Sequence, residues 1–247
     1  MWDNKKNKDL FKFEREGLDF PFYNNTPELS TFKWIILVIG VVISLLFVLI
    51  PKPQIPQNII SFINFLIPFL TFMYVGSGKI GLICKKFQKS DLLLMLGCYL
   101  ADFFYGFLMI VSLFLLGVST NVNAVLNQTH DILFWVAAPL QIFGEELVKL
   151  FIFLIVLFLV YKYTNNRKVG VIVATLVSLV IFGLAHYNSY GNFIQMILVI
   201  GLGSFFTTFA YLVTKNVLTS YILHLASNFL NIGVLLSFLH NLVTTFI

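Results

Sequence analysis

The chain reads as an all-α, polytopic transmembrane helical bundle of about seven spans. Three observations predict it: a shortage of charge, apolar runs long enough to cross a bilayer, and basic residues confined to alternate connections. Hydrophobic residues make up 59% of the 247 and charged residues only 11%, with a mean hydropathy of +0.91. A soluble domain carries about a quarter charged residues, so a water-facing surface of this length is excluded. The net charge of +5 does not point to nucleic acid, because its lysines and arginines sit in the short segments between apolar runs, where membrane proteins keep them.

A helix needs about 20 apolar residues to cross the hydrocarbon core. The first run, 32–50, follows a polar segment of mixed charge and has no small-residue cleavage site behind it, so it is expected to stay as a span. The proline-stiffened PKPQIPQ (51–57) leads into the second, 58–75. The third, 92–118, and the fourth, 132–161, are long enough to be tilted or broken. Pro139 removes a helix donor and crowds the preceding turn. It therefore predicts a separate re-entrant or interfacial piece over 132–143, an eighth segment, ahead of a helix starting near Gly144. The remaining spans are 169–186, 192–213 and 217–238, and NVNAVLNQTHD (121–131) is a polar linker. Cys84 and Cys98 form neither a CxxC nor a disulfide framework.

Counting Lys and Arg over successive connections gives six, one, four, none, three, none, one and none. Alternate segments thus carry fourteen against one. Positive charge stays cytoplasmic, which predicts an N-terminus inside, a C-terminus outside and an odd number of spans.

Asp102, Glu145, Glu146 and Lys149 fall inside apolar runs, where each costs about 2.5–3.5 kcal/mol on insertion scales. Such residues face a cavity or a partner. Glu145 and Glu146 are helix neighbours, pointing about 100° apart, so one can face a reacting centre while the other supports its surroundings. Lys149 is within pairing reach of either, and a structural ion pair is the plain alternative. FGLAH sets Phe182 and His186 on one helix face, and HLASN does the same for His224 and Asn228. His130 and His240 lie in or beside loops, and nothing marks them.

A buried glutamate is poised as a general base near neutral pH. It can take a proton from water, with His186 holding that water, while His224 and Asn228 donate to an oxyanion. The same residues allow a second mechanism, since Glu145, His186 and His224 form a set found in catalytic zinc sites. HExxH, the most specific zinc signature, is absent from the sequence.

GEELVK on one span, FxxxH on the next and HxxxN two spans later resemble the CPBP family of CAAX-protease and bacteriocin-processing intramembrane endopeptidases, over roughly 130–235. The family's EExxxR departs here, with Leu150 at the arginine position and Lys149 one residue earlier. EExxK also occurs in related proteases that cleave anti-sigma factors, but those carry an acid where this chain has His186. The resemblance implies Glu145 as the base that activates water, His186 beside it, His224 and Asn228 stabilising the oxyanion, and Glu146 in support. It implies a membrane-protein or membrane-peptide substrate in the bilayer, with no cofactor required in the preferred mechanism and zinc in the other. It divides the chain into a cytoplasmic segment (1–31), N-terminal spans (32–125) and catalytic spans (126–247). A non-catalytic immunity or scaffold protein of the same fold is the rival reading. A transporter is a further one, which lacks the paired broken helices of such folds.

By helix rise, Glu145 lies about 25 Å from the basic boundary at Lys162, His186 at a similar depth, and His224 only about 13 Å past Lys215. Convergence of the motifs therefore requires tilted helices or a misplaced boundary.

Overall fold

The computed structural model describes residues 10–52, 54–121 and 132–230. Its long helices are α1 (Thr31–Leu49), α2 (Gln57–Val75), α3 (Lys89–Leu115), α4 (Ile132–Thr164) and α5 (Arg167–Ala185), followed by α6 (Phe193–Thr214) and α7 (Val217–Leu230). Among the described residues, five of these (α1, α2, α3, α5 and α6) are long and apolar enough to cross a membrane. The charged α4 runs 33 residues, and α7 continues to the edge of the described residues. The tail of the expected span 217–238, together with His130 and His240, lies outside them. Leucines, isoleucines and phenylalanines stand exposed along α1 and α3, among them Ile39, Ile43, Leu93, Phe104 and Phe114. Surfaces of that kind are satisfied by lipid, and the chain is a multi-pass membrane protein.

The expected break near Pro139 does not occur: α4 is continuous from Ile132 to Thr164 with Pro139 inside it. The ring deletes a single hydrogen bond near the start of the helix, which a membrane helix tolerates. Gly144 has a different use from the helix start expected there. A Cβ at this position would lie 2.4 Å from the Asn64 carbonyl oxygen of α2, so the bare backbone is what lets α2 and α4 touch. Gly183 of α5 does the same against α6, where a Cβ would meet the Met196 carbonyl oxygen at 2.4 Å. Small residues at helix crossings are the usual means of close packing in lipid.

Hydrogen bonds between connections define two ends. At one, the Val217 amide donates to the Ile83 carbonyl over 2.8 Å, and the Lys85 amide donates to Asn216 Oδ1 over 2.9 Å. At the other, Asn188 Nδ2 donates to the Val48 and Leu49 carbonyls, over 2.8 and 2.9 Å, and the Asn121 amide donates to Gln195 Oε1 over 2.8 Å. Apart from Lys52 and the in-span Lys149, the basic residues described lie at the first end, called here the basic end.

Residues 10–30, read from sequence only as a polar leader, fold onto this basic end. Phe20 and Phe22 are buried in the same core as Leu154, Leu157 and Val171. Glu14 receives both terminal nitrogens of Arg167, over 2.8 and 2.6 Å, and the Lys215 ammonium at 2.5 Å. Lys215 also sits 3.9 Å from the Phe20 ring centroid. One carboxylate from the leader thus ties the start of α5 to the turn between α6 and α7.

Burial alone would raise the Glu14 pKa, but the hydrogen bond from Arg167 and the charge of Lys215 outweigh it and hold the group below its ordinary value. A depressed carboxylate contributes stability that is fully present above the ordinary carboxylate range and is lost as pH falls through the lowered folded value. Thermal unfolding in detergent micelles is therefore expected to show a fall in Tm on acidification that Glu14→Gln, already lower in Tm at neutral pH, shares only in part.

Candidate active site

The two glutamates differ in environment as their helix positions require. Glu146 is 2% exposed and fully occupied. Lys149 Nζ donates to its Oε1 over 2.6 Å, His224 Nδ1 lies 2.8 Å from the same oxygen, and the Ser220 hydroxyl donates to Oε2. Lys149 donates in turn to Thr207 Oγ1 over 2.7 Å and stands 4.9 Å from the Phe182 ring centroid. This node links α4 to α5, α6 and α7, which is how an ion pair inside the apolar bundle is satisfied. The acid–base pair within one helix that the sequence allowed is thus Glu146 with Lys149, three residues apart.

Glu145 is half-buried and lines a cavity of about 1410 Å³. Its one hydrogen-bond partner among the described residues is neutral: Gln141 Nε2 donates to Oε1 over 2.8 Å, and Ser61 on α2 donates to Gln141 Oε1 over 2.6 Å. Ser61 orients Gln141, which orients Glu145, and neither cancels its charge.

His186 caps the end of α5 and lines the same cavity. Its Nδ1 lies 2.8 Å from the Phe182 carbonyl oxygen. A carbonyl can only accept, so Nδ1 carries the proton, and in the neutral ring Nε2 is left with a lone pair. His224 is held likewise, its Nδ1–H directed at the Glu146 carboxylate. The Phe182 ring lies beside both imidazoles, with centroids 4.7 Å from His186 and 5.9 Å from His224, which gives FxxxH a packing reason for its phenylalanine. Asn228, one turn beyond His224, also lines the cavity.

Glu145, His186, His224 and Asn228 therefore share one cavity, while Glu146 lies behind its wall. The depth mismatch expected for His224 disappears because Lys215 is not a boundary residue. It is 1% exposed beneath the leader, so α7 begins inside the molecule.

Sequence reasoning missed several partners. Ser220 and Gln141 each stand four residues before a singled-out residue, His224 and Glu145, a spacing that was read only forwards. Thr207 and Ser61 carry no local signal. Asp102 accepts a 2.7 Å hydrogen bond from Ser227 and lines the cavity from α3, while Ser44, Ser61 and Asn64 reach it from α1 and α2. The N-terminal spans thus build part of the wall.

The zinc set does not assemble. Among the described residues, no three His, Cys, Asp or Glu side chains stand close enough to hold one metal ion. Glu145, His186 and His224 share a chamber without converging on a point, and no step is derived through a metal.

A model of the family described as Type II CAAX prenyl endopeptidase Rce1-like matches residues 127–230. No curated protein and no solved structure matches the chain. The matched segment holds all five motif residues, in the order that carried the resemblance to the CPBP family. Over residues 127–230 the chain is therefore similar to an Rce1-like domain, and the match falls in the segment that carried the resemblance to the CPBP family.

Proposed function

We propose that the chain is an intramembrane endopeptidase that hydrolyses a peptide bond of a membrane-associated protein or peptide with a water activated by Glu145. The observation that supports this reading is the division between the adjacent carboxylates. Glu146 is enclosed and neutralised by Lys149, whereas Glu145 faces the cavity and, among the described residues, is held by an amide alone.

Glu145 removes a proton from a water that His186 Nε2 holds by accepting its second hydrogen. The water oxygen attacks the scissile carbonyl, and Asn228 Nδ2 and His224 Nε2 donate to the resulting oxyanion. His224 can donate from Nε2 only as the imidazolium, because Nδ1 already holds a proton for Glu146. The tetrahedral intermediate collapses with cleavage of the C–N bond, and Glu145 passes its proton to the leaving amine. Preorganised donors of this kind are worth about 2.7–4 kcal/mol each in comparable sites. By the distribution of basic residues, the basic end faces the cytoplasm, with the N-terminus inside and the C-terminus outside. Residues 126–247 supply the reacting groups, and 32–125 supply the opposite wall.

The test is cleavage of membrane peptides by the purified chain in liposomes, with and without a chelator. The expected result is cleavage that survives chelation. Loss on chelation with recovery on adding zinc would replace the glutamate-activated water by a metal-bound one.

A further inference from the structure

The cavity is not centred in the bundle. Its lining includes Gln57 and Asn58 at the start of α2, Thr120 and Asn121 after α3, and Tyr190 and Gln195 around the start of α6. All six lie at the end remote from the basic residues, where Asn188 and Asn121 bind the connections together. Towards the basic end the lining stops at Lys149, Ile152 and Thr207, and no described residue of 10–30, 76–88, 162–168 or 213–219 lines it. Beyond that floor the bundle is solid. Phe151, Leu154, Leu157 and Leu212 pack there with Phe20 and Phe22 of the leader, and Glu14 with Arg167 and Lys215 closes the surface.

A hollow half therefore faces one side of the membrane and a plugged half the other. Of the twelve described basic residues other than Lys149, the plugged half carries eleven, a bias that fixes it as cytoplasmic. We infer that the cavity is entered from the extracytoplasmic side, so that its substrate is the exported or translocated segment of a membrane-anchored peptide, not a cytoplasmic tail. This rests on the proteolytic reading for the word substrate and on charge and packing for the side. The polar rim suits a water-filled entrance, and the apolar wall of Phe103, Phe107 and Ile110 on α3 suits the hydrophobic stretch next to the cut. A cytoplasmic chain would have to displace the leader and its buried Glu14 to reach Glu145.

The test is cysteine labelling of intact cells with a membrane-impermeant maleimide. Gln57→Cys reports the rim, Gln141→Cys the depth beside Glu145, and the exposed Lys79→Cys the basic end, each with Cys84 and Cys98 changed to Ser. If that background folds poorly, the same variants in the native background carry half-buried Cys84 and buried Cys98 as internal controls. Gln57→Cys and Gln141→Cys are expected to label in intact cells, and Lys79→Cys only after permeabilisation. The reverse pattern, or Gln141→Cys reacting only in inside-out vesicles, overturns the inference. Labelling requires no cleavage: an inactive chain that labels from outside retires the protease and retains the entrance.

Discussion

Glu146→Ala is expected to cost about 3–5 kcal/mol of stability, because it strands Lys149 as an unpaired charge in the bundle interior. The same change removes the acceptor that fixes the His224 tautomer and leaves the Ser220 hydroxyl without its partner, so proteolysis is expected to vanish as well. Folding and function separate in a second variant. Glu146→Leu with Lys149→Met removes both charges, and replacing a buried pair by apolar groups is often neutral or stabilising. It is expected to recover Tm in micelles without recovering cleavage, since His224 remains unoriented. Full activity in that double variant would reduce Glu146 to a packing residue.

Glu145→Gln is expected to do the opposite, lowering the rate by about 10²–10⁴-fold, the usual contribution of a positioned general base, while leaving the fold intact. The side chain is half-buried at a cavity wall, and its partner among the described residues is the neutral Gln141, so no buried charge is orphaned when its own is removed. Stability is expected to stay within about 0.5 kcal/mol of the parent, as for substitutions away from buried networks. Glu145→Asp keeps the charge but withdraws it by one methylene. A partial rate with an unchanged Tm is expected there, and rescue of that kind identifies a base where mere charge would not.

How much of this was legible in the sequence depended on the range of the forces involved. Helix positions follow from the run length a bilayer demands, and α1, α2, α5 and α6 begin and end within about two residues of their expected limits. Glu145, Glu146, His186 and His224 were readable because ionisable groups in apolar runs have few innocent uses, and Asn228 because it stands four residues after His224. The different surroundings of Glu145 and Glu146, one facing the cavity and one enclosed, were also foreseeable from their angular separation on one helix. What escaped was tertiary. Pro139 looked like a break because sequence shows the lost hydrogen bond and not the neighbours that make one loss tolerable. Gly144 looked like a helix start because nothing local reveals that Asn64 would press on its Cβ. The leader, with its mixed charges, gave no sign that Glu14 is the counterion of Arg167 and Lys215, 153 and 201 residues away. Burial of Lys215 then placed the start of α7 inside the molecule, which no count of basic residues can foresee.

The central claim is that Glu145, and not its neighbour, activates the water. Wild type, Glu145→Gln and the Glu146→Leu/Lys149→Met variant, reconstituted in the same liposomes with a panel of membrane peptides, test it by mass spectrometry of the products. The account predicts defined fragments from wild type and none from a fully folded Glu145→Gln. Cleavage by Glu145→Gln at the wild-type rate would contradict it, and the bundle would then stand as a scaffold whose carboxylates hold helices together.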